Sequence, residues 1–314
     1  MVFLPQEMVL YLFTDERLLV MISYFFRKSD LRTTVCGDNE YWGIDNPYRY
    51  SINSVKAIEL ADALSNPFSR CYNASFDEIE RLEIHRLYEQ NADVEIIQKI
   101  LPAFPNLKEL KIHSASLTDL KFLTPVPNLE SLIIIWNSFK QYERLDFFDI
   151  SGIENCQKLK HIWFDHIGEE MKNTELLKSL PELSCLRIIV CSFDLSFIRE
   201  LTNLKELHMC GLDMKMHTLK NLDTLTKLKK LCVYNIRGLF TKFKKLESLE
   251  YLCIRGTVIS YKTKLGFKGI ENLKNLKQLI INERDIADPH EAEKYKHIIN
   301  SPDVEWPRPG ELKE

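Results

Sequence analysis

Apolar positions along this chain follow two different rhythms. From residue 79 onward a six-residue figure, apolar-x-x-apolar-x-apolar, returns nine times. It reads IERLEI from Ile79, LKELKI from Leu107, LESLII from Leu129, LKHIWF from Leu159 and LSCLRI from Leu183. It continues as LKELHM from Leu204, LKKLCV from Leu228, LEYLCI from Leu249 and LKQLII from Leu276. Successive copies start 21 to 30 residues apart. The alternation inside each copy has the period of a strand with one buried face. In LKELKI, Leu107, Leu110 and Ile112 are expected to point inward, and Glu109, Lys111 and His113 to the other face. Between copies, LSFIRELTN and HTLKNLDTLTK read as short helices or turns of helix. QYERLDFFDISGIENCQK, in the longest interval, reads as a helical insertion on the outer side. Near the end, DPHEAEKYKHIINSPDVEWPRPG reads as a helix followed by a short strand around Val304 to Trp306.

The other rhythm occupies the start of the chain. FLPQEMVLYLF, residues 3 to 13, and LLVMISYFF, residues 18 to 26, are rich in apolar side chains and separated by TDER. Glu7 interrupts the first run, no Lys or Arg precedes it, and Arg27 and Lys28 end the second. A secretory signal needs a basic start and an unbroken apolar run. A membrane span needs roughly 20 apolar residues. Neither pattern is met, and the expectation is an intracellular chain without a membrane partner.

Nine copies in step, at intervals close to the roughly 20 to 29 residues of a leucine-rich repeat, resemble that family from residue 79 to the C-terminus. The resemblance implies an α/β fold: a leucine-rich-repeat solenoid whose curved parallel sheet lines the inside, with helices or turns outside. Each unit is too small to cover its own apolar face, so stacking neighbours builds one continuous core. Asn137 and Cys191 stand where the family places a turn-bonding Asn or Cys, whereas Ala115, Leu212, Thr257 and Arg284 depart from it.

Residues 4 to 42 resemble the F-box. Leu4, Pro5 and Glu7 match its opening, Leu12 and Phe13 the end of its first helix, and Leu18, Leu19, Ile22 and Ser23 its second. Phe25 to Lys28 stand where Val-Cys-Arg-Arg is usual, and Asp38, Asn39 and Trp42 match the tail. The turn between helices is about two residues short, and Ser29 stands where the second helix usually carries Trp. An F-box before leucine-rich repeats is the layout of substrate receptors in Skp–cullin–F-box ubiquitin ligases. The resemblance implies docking on a Skp-type adaptor, and so on a cullin, through Leu4, Pro5, Met8, Leu12, Leu19, Ile22, Phe25 and Trp42. So many apolar side chains within about 40 residues exceed what so short a segment buries alone. The competing reading is a plain helical cap over the first repeat.

The expected organisation is a small all-α F-box-like domain over 1–45, a helical linker or N-terminal cap over 46–78, repeats over 79–290, and a C-terminal cap and tail over 291–314. In the linker, SVKAIELADALS reads as a helix with Ser54 as its N-cap.

Composition narrows the function. A formal net charge of −3 argues against general affinity for nucleic acid or an anionic membrane. The eight cysteines are scattered and form no CxxC pair, so no zinc-finger or thioredoxin-like motif is present. Several lie within strand patterns, where a reduced cysteine behaves as a small hydrophobe. A reducing, cytoplasmic or nuclear location follows. No phosphate loop, GxSxG elbow or HExxH occurs. His290, Glu293 and His297 share a helix side without a third ligand, so neither a metal nor another cofactor is expected.

Side chains alternating with the buried ones map the concave face. Ile133, Ile135, Trp163, Arg187 and Ile189 are expected to form one patch, with Asp165, His208, Tyr234 and Arg255 as further candidates on the same face. Trp and Arg among apolar neighbours are typical of interface hot spots, and this patch is the candidate substrate-binding surface. The chain reads as the non-catalytic substrate-recognition subunit of a cullin-type ubiquitin ligase. The alternative is a stand-alone leucine-rich-repeat scaffold or regulatory subunit, or a pathogen effector, without a ubiquitin role.

Overall fold

In a computed structural model, the described residues are 49–53, 60–62, 64–67, 75–77, 79–87, 92–114, 117–136, 147–165, 170–189, 196–210, 222–234, 243–255, 266–281 and 286–300. Every one of the nine hexamers becomes a strand. They are β2 (Arg81–Leu87), β3 (Glu109–Ser114), β4 (Ser131–Trp136), β6 (His161–Asp165) and β8 (Cys185–Ile189), then β9 (Glu206–Cys210), β10 (Lys230–Tyr234), β11 (Tyr251–Arg255) and β12 (Gln278–Ile281). Two more strands extend the row, β1 (Arg49–Asn53) before it and β13 (Ile299–Asn300) after it. All eleven pair in parallel in one sheet, in the order β1-β2-β3-β4-β6-β8-β9-β10-β11-β12-β13. The sheet is curved, and its inner face is the one opposite the main core. It is a leucine-rich-repeat solenoid.

The stack is held by two series of backbone bonds that recur at each repeat. The N–H of the residue after the first apolar position bonds the equivalent carbonyl of the preceding repeat, as in Lys108 to Glu80 at 2.8 Å, Glu130 to Lys108 at 2.7 Å and Glu250 to Lys229 at 2.8 Å. The first apolar residue itself closes a tight turn onto the carbonyl three residues back. Leu129 to Val126 (3.2 Å), Leu204 to Leu201 (3.0 Å) and Leu276 to Leu273 (3.0 Å) are examples. That turn sets the first apolar residue of each hexamer against the core, buried at Leu129 and Leu204 and partly buried at Leu276. Leu110, Leu132, Leu186, Leu207, Leu231 and Leu252 line the interior and are buried.

Spacing decides what lies outside the sheet. The 28-residue interval between the first two copies has room for a true helix, α1 (Ala92–Ile100). Shorter intervals hold single 3-10 turns such as Ser196–Glu200. The longest interval departs from expectation. Where it is described, QYERLDFFDISGIENCQK holds only a three-residue 3-10 turn, Ile153–Asn155, after β5 (Phe147–Asp149), which pairs in parallel with β7 (Glu170–Lys172) in a small second sheet. Gly152, at φ 107°, leads into a single 3-10 turn (Ile153–Asn155), and only glycine fits there, because a Cβ at this position would lie 2.3 Å from the Leu120 carbonyl oxygen. The same four residues, Gly-Ile-Glu-Asn, recur at 269–272 with Gly269 at φ 99°. In both, the Glu carboxylate accepts from the Gly N–H, and the Asn side chain donates to the Gly carbonyl.

The ends also differ from expectation. Residues 46–78, read as a helical linker, contribute β1, so the sheet begins one strand earlier than the hexamers suggest. Residues 60–62 and 64–65 are helical within that span. At the C-terminus α2 (Pro289–Glu293) is capped by Asp288, whose carboxylate accepts from the His290 N–H at 2.8 Å. The closing strand is β13, reached directly from this helix, and residues 304–306 lie outside the described residues. Ser54 and residues 1–48, which carry the whole F-box resemblance, lie outside them too.

Candidate functional site

Strand register places the side chains of the inner face in rows. One row runs Glu83, Lys111, Ile133, Trp163, Arg187, His208, Cys232, Cys253 and Ile280, each the direct partner of the next. Beside it, Ile135 pairs with Asp165 and Asp165 with Ile189. The five residues of the expected patch, together with Asp165, therefore form a block two rows deep on three adjacent strands. Tyr234 and Arg255 are partners of each other on β10 and β11, away from that block.

All six patch residues are half-buried. The Arg187 guanidinium lies over the Trp163 ring, 3.8 Å from its centroid. This cation–π stack ties the two large side chains to each other. The Trp163 indole Nε1 is buried and has no hydrogen-bond partner among the described residues. An indole N–H is a donor only, and buried ones ordinarily find an acceptor. His161, beside the patch on β6, has its pKa lowered below 6.5 by burial and then by the Lys160 charge, so its ring is neutral at pH 7.

Farther along the same face, side chains become buried although the main core lies on the opposite side. His208 is one of them, at 5% exposure. Cys232, Cys253 and Ile280 form a small apolar cluster of their own. Next to them lies a buried ion pair absent from the sequence reading. The Lys230 ammonium, on a residue 1% exposed, stands 3.7 Å from Glu206 Oε1 and 5.4 Å from the centre of the Tyr251 ring. Burial pushes the Glu206 carboxyl up and the Lys230 ammonium down, each against the attraction of the other. The Cys185 thiol donates to Glu206 Oε2 at 3.9 Å, and burial pushes its pKa well up. This pair was legible in principle. The third position of each hexamer faces the same way as the fifth, and in LKELHM and LKKLCV that position carries Glu206 and Lys230. Glu83 and Lys111 make a second buried pair at the other end, at 2.6 Å, with the His113 ring 3.4 Å from the same carboxylate.

Elsewhere charges are matched at the surface. A groove of about 410 Å³ runs over the loops preceding β3, β4 and β6. Its Lys108 pairs with Glu80 at 2.6 Å, and its Lys158 donates to Asn128 at 2.8 Å. Glu130 accepts from Lys160 at 2.8 Å, which holds its carboxyl below 4.5. Among the described residues no group of three or more His, Cys, Asp or Glu side chains could hold a metal. Among the same residues no helix is long and apolar enough to cross a membrane. The adaptor-docking residues Leu4, Pro5, Met8, Leu12, Leu19, Ile22, Phe25 and Trp42 all lie outside the described residues.

No protein-family model and no curated protein sequence matches this chain. Solved structures do resemble it. An internalin, inlF, of Listeria monocytogenes is similar over 73% of this chain and 73% of its own, at 16% identity and a TM-score of 0.44. Internalin C2 of the same organism matches over 66% of this chain and 83% of its own, at 15% identity and 0.41. A leucine-rich-repeat protein of Leptospira interrogans matches over 71% and 61%, at 17% identity and 0.40.

Proposed function

We propose that this chain is a protein-interaction scaffold that acts without chemistry of its own and holds a protein partner against the inner face of β4, β6 and β8. The observation that carries this reading is the Trp163–Arg187 stack set among Ile133, Ile135 and Ile189, with a buried indole donor unmatched among the described residues. Flat aromatic and guanidinium groups ringed by aliphatic side chains lose little conformational entropy on contact, so a partner gains area at small ordering cost. A backbone or carboxylate oxygen from that partner would accept from Trp163 Nε1.

Within this reading, the finer proposal is the substrate-recognition subunit of a cullin-type ubiquitin ligase, in the cytoplasm or nucleus. Its support is the sequence of residues 4 to 42 and their position before the repeats. Full-length chain should then capture purified Skp-type adaptor together with cullin, and the double change Leu4→Ala, Pro5→Ala should abolish capture. Adaptor binding that survives that change, or no binding by the unaltered chain, removes the ligase assignment and leaves the stand-alone scaffold.

A further inference from the structure

We propose that the turns leading into β9 and β10 form a second docking surface, which takes an acidic segment of a protein partner through Lys205, Lys227 and Lys229. It stands apart from the Trp163 patch, which lies on the inner face of other strands. Two files of positions run along these turns from repeat to repeat. The backbone bonds that join successive repeats fix the order of the first: Ser184 bonds Lys160, Lys205 bonds Ser184, Lys229 bonds Lys205 and Glu250 bonds Lys229. That file opens with Glu80, Lys108, Glu130 and Lys160, which alternate in sign. It then reads Ser184, Lys205 and Lys229 before the next acid, Glu250. The second file, two residues upstream, reads Glu182, Asn203, Lys227 and Ser248 over the same repeats.

Where the signs alternate, each lysine has an acid on the repeat before it. Lys108 meets Glu80 at 2.6 Å and Lys160 meets Glu130 at 2.8 Å. Between Glu182 and Glu250 the two files hold three lysines and no carboxylate, and all three lysines are exposed. The Lys205 ammonium has no ion-pair partner among the described residues. Lys227 donates to the neutral Asn203 side chain at 2.8 Å. Lys229 reaches Glu250 at 3.6 Å, but that carboxylate is already held by Lys277. The other nearby acids are engaged elsewhere: Glu200 with Lys178, Asp223 with Lys245 and Glu206 with the buried Lys230. Neighbouring strands lie about 4.8 Å apart, so ammonium groups on successive turns repel one another. Carboxylates from a partner would relieve that repulsion, and complementary charge also speeds encounter.

The arrangement favours a short acidic peptide over a nucleic acid. Glu182 and Glu250 close the lysine stretch at both ends and repel a long polyanion. Neither file carries an aromatic ring on which a base could stack. The chain as a whole has a formal net charge of −3, so the positive stretch is local. In an extended segment, carboxylates two residues apart are roughly 6.6 Å apart, a spacing that long lysine side chains on adjacent turns reach.

The test is fluorescence anisotropy of a labelled hexaglutamate peptide titrated with the full-length chain. Hexaglutamine, mixed phosphatidylserine–phosphatidylcholine vesicles and an oligothymidylate of matching charge run beside it. Hexaglutamate should bind at about 0.01 M salt and weaken at least about tenfold by about 0.15 M, and hexaglutamine should not bind. Lys205→Glu with Lys227→Glu should weaken binding at least about tenfold. Lys268→Glu with Lys274→Glu makes the same change in net charge on exposed lysines of the turn before β12, and should weaken it less than about twofold. Trp163→Ala should leave it unchanged, which separates this surface from the inner-face patch. The proposal is overturned if hexaglutamate binds no better than hexaglutamine, if the two double variants weaken it equally, or if vesicles or oligothymidylate bind more tightly than the peptide. Should charge reversal unfold the chain in a thermal scan, Lys205→Gln with Lys227→Gln repeats the comparison, and equal binding by that variant overturns the proposal as well.

Discussion

Beyond the buried Glu83–Lys111 pair at its start, the inner face of this solenoid divides into two halves of opposite character. Over β4, β6 and β8 the outward row reads Ile133, Trp163, Arg187, and every member is half-buried. Over β9 to β12 the same row reads His208, Cys232, Cys253, Ile280, and every member is buried. The backbone ladder is the same in both. What differs is the side chains: Trp163 and Arg187 stacked in the first half, and Cys232, Cys253 and Ile280 packed as a small apolar cluster in the second. One continuous row thus carries a half-buried stacked pair and a buried layer, separated only by register position.

Substitutions test that division directly. The largest effect is expected at the buried pair. Lys230→Ala strands the Glu206 carboxylate and should lower stability by about 3–5 kcal/mol, whereas replacing both partners by apolar residues of similar volume should restore most of it. Denaturant unfolding of the single and double variants checks this; a single variant as stable as the parent would mean that the pair is solvated. Next comes a matched comparison along one row. Ile280→Ala should destabilise by about 2–5 kcal/mol and Ile133→Ala by under about 1 kcal/mol. Equal losses would erase the difference between the halves.

Binding should respond in the opposite sense. Trp163→Ala should weaken an identified partner by about 2 kcal/mol, roughly 30-fold in Kd, with a small change in melting temperature. Titration calorimetry and a thermal scan on the same sample separate the two effects. A large melting shift with unchanged affinity would make Trp163 part of the structural layer. The smallest expected effect is pH-dependent. His161 titrates below its ordinary 6.5 because burial and the Lys160 charge disfavour its ionised form. Its contribution to stability is complete above pH 6.5 and is lost as pH falls through the lowered value. His161→Gln should flatten the stability profile on the acid side of 6.5, as read from urea midpoints over that range.

Much of the fold was legible because the inward positions repeat. Leu110, Leu132, Ile162, Leu186 and Leu207 occupy the same place in successive hexamers, and each is buried in the core. The insertion at 141–158 was misread as a helix because its apolar residues have no decisive period. Pairing with Glu170–Lys172 makes Phe147–Asp149 a strand, and the left-handed Gly152 leaves room after it for one 3-10 turn only. The patch Ile133–Trp163–Arg187 followed from counting alternate positions. The Glu206–Lys230 pair needed the third positions as well, which resemble ordinary surface charges in the linear chain.

By itself the sequence determined that there would be stacked parallel strands and which side chains enter the core, because burial in a repeat depends on position within a short local period. Tertiary structure alone decided which inner-face residues meet across strands, which of them stay open, and which charges end up without water. Those properties depend on partners 21 to 30 residues away, whose spacing varies from copy to copy and is reconciled only when the strands align.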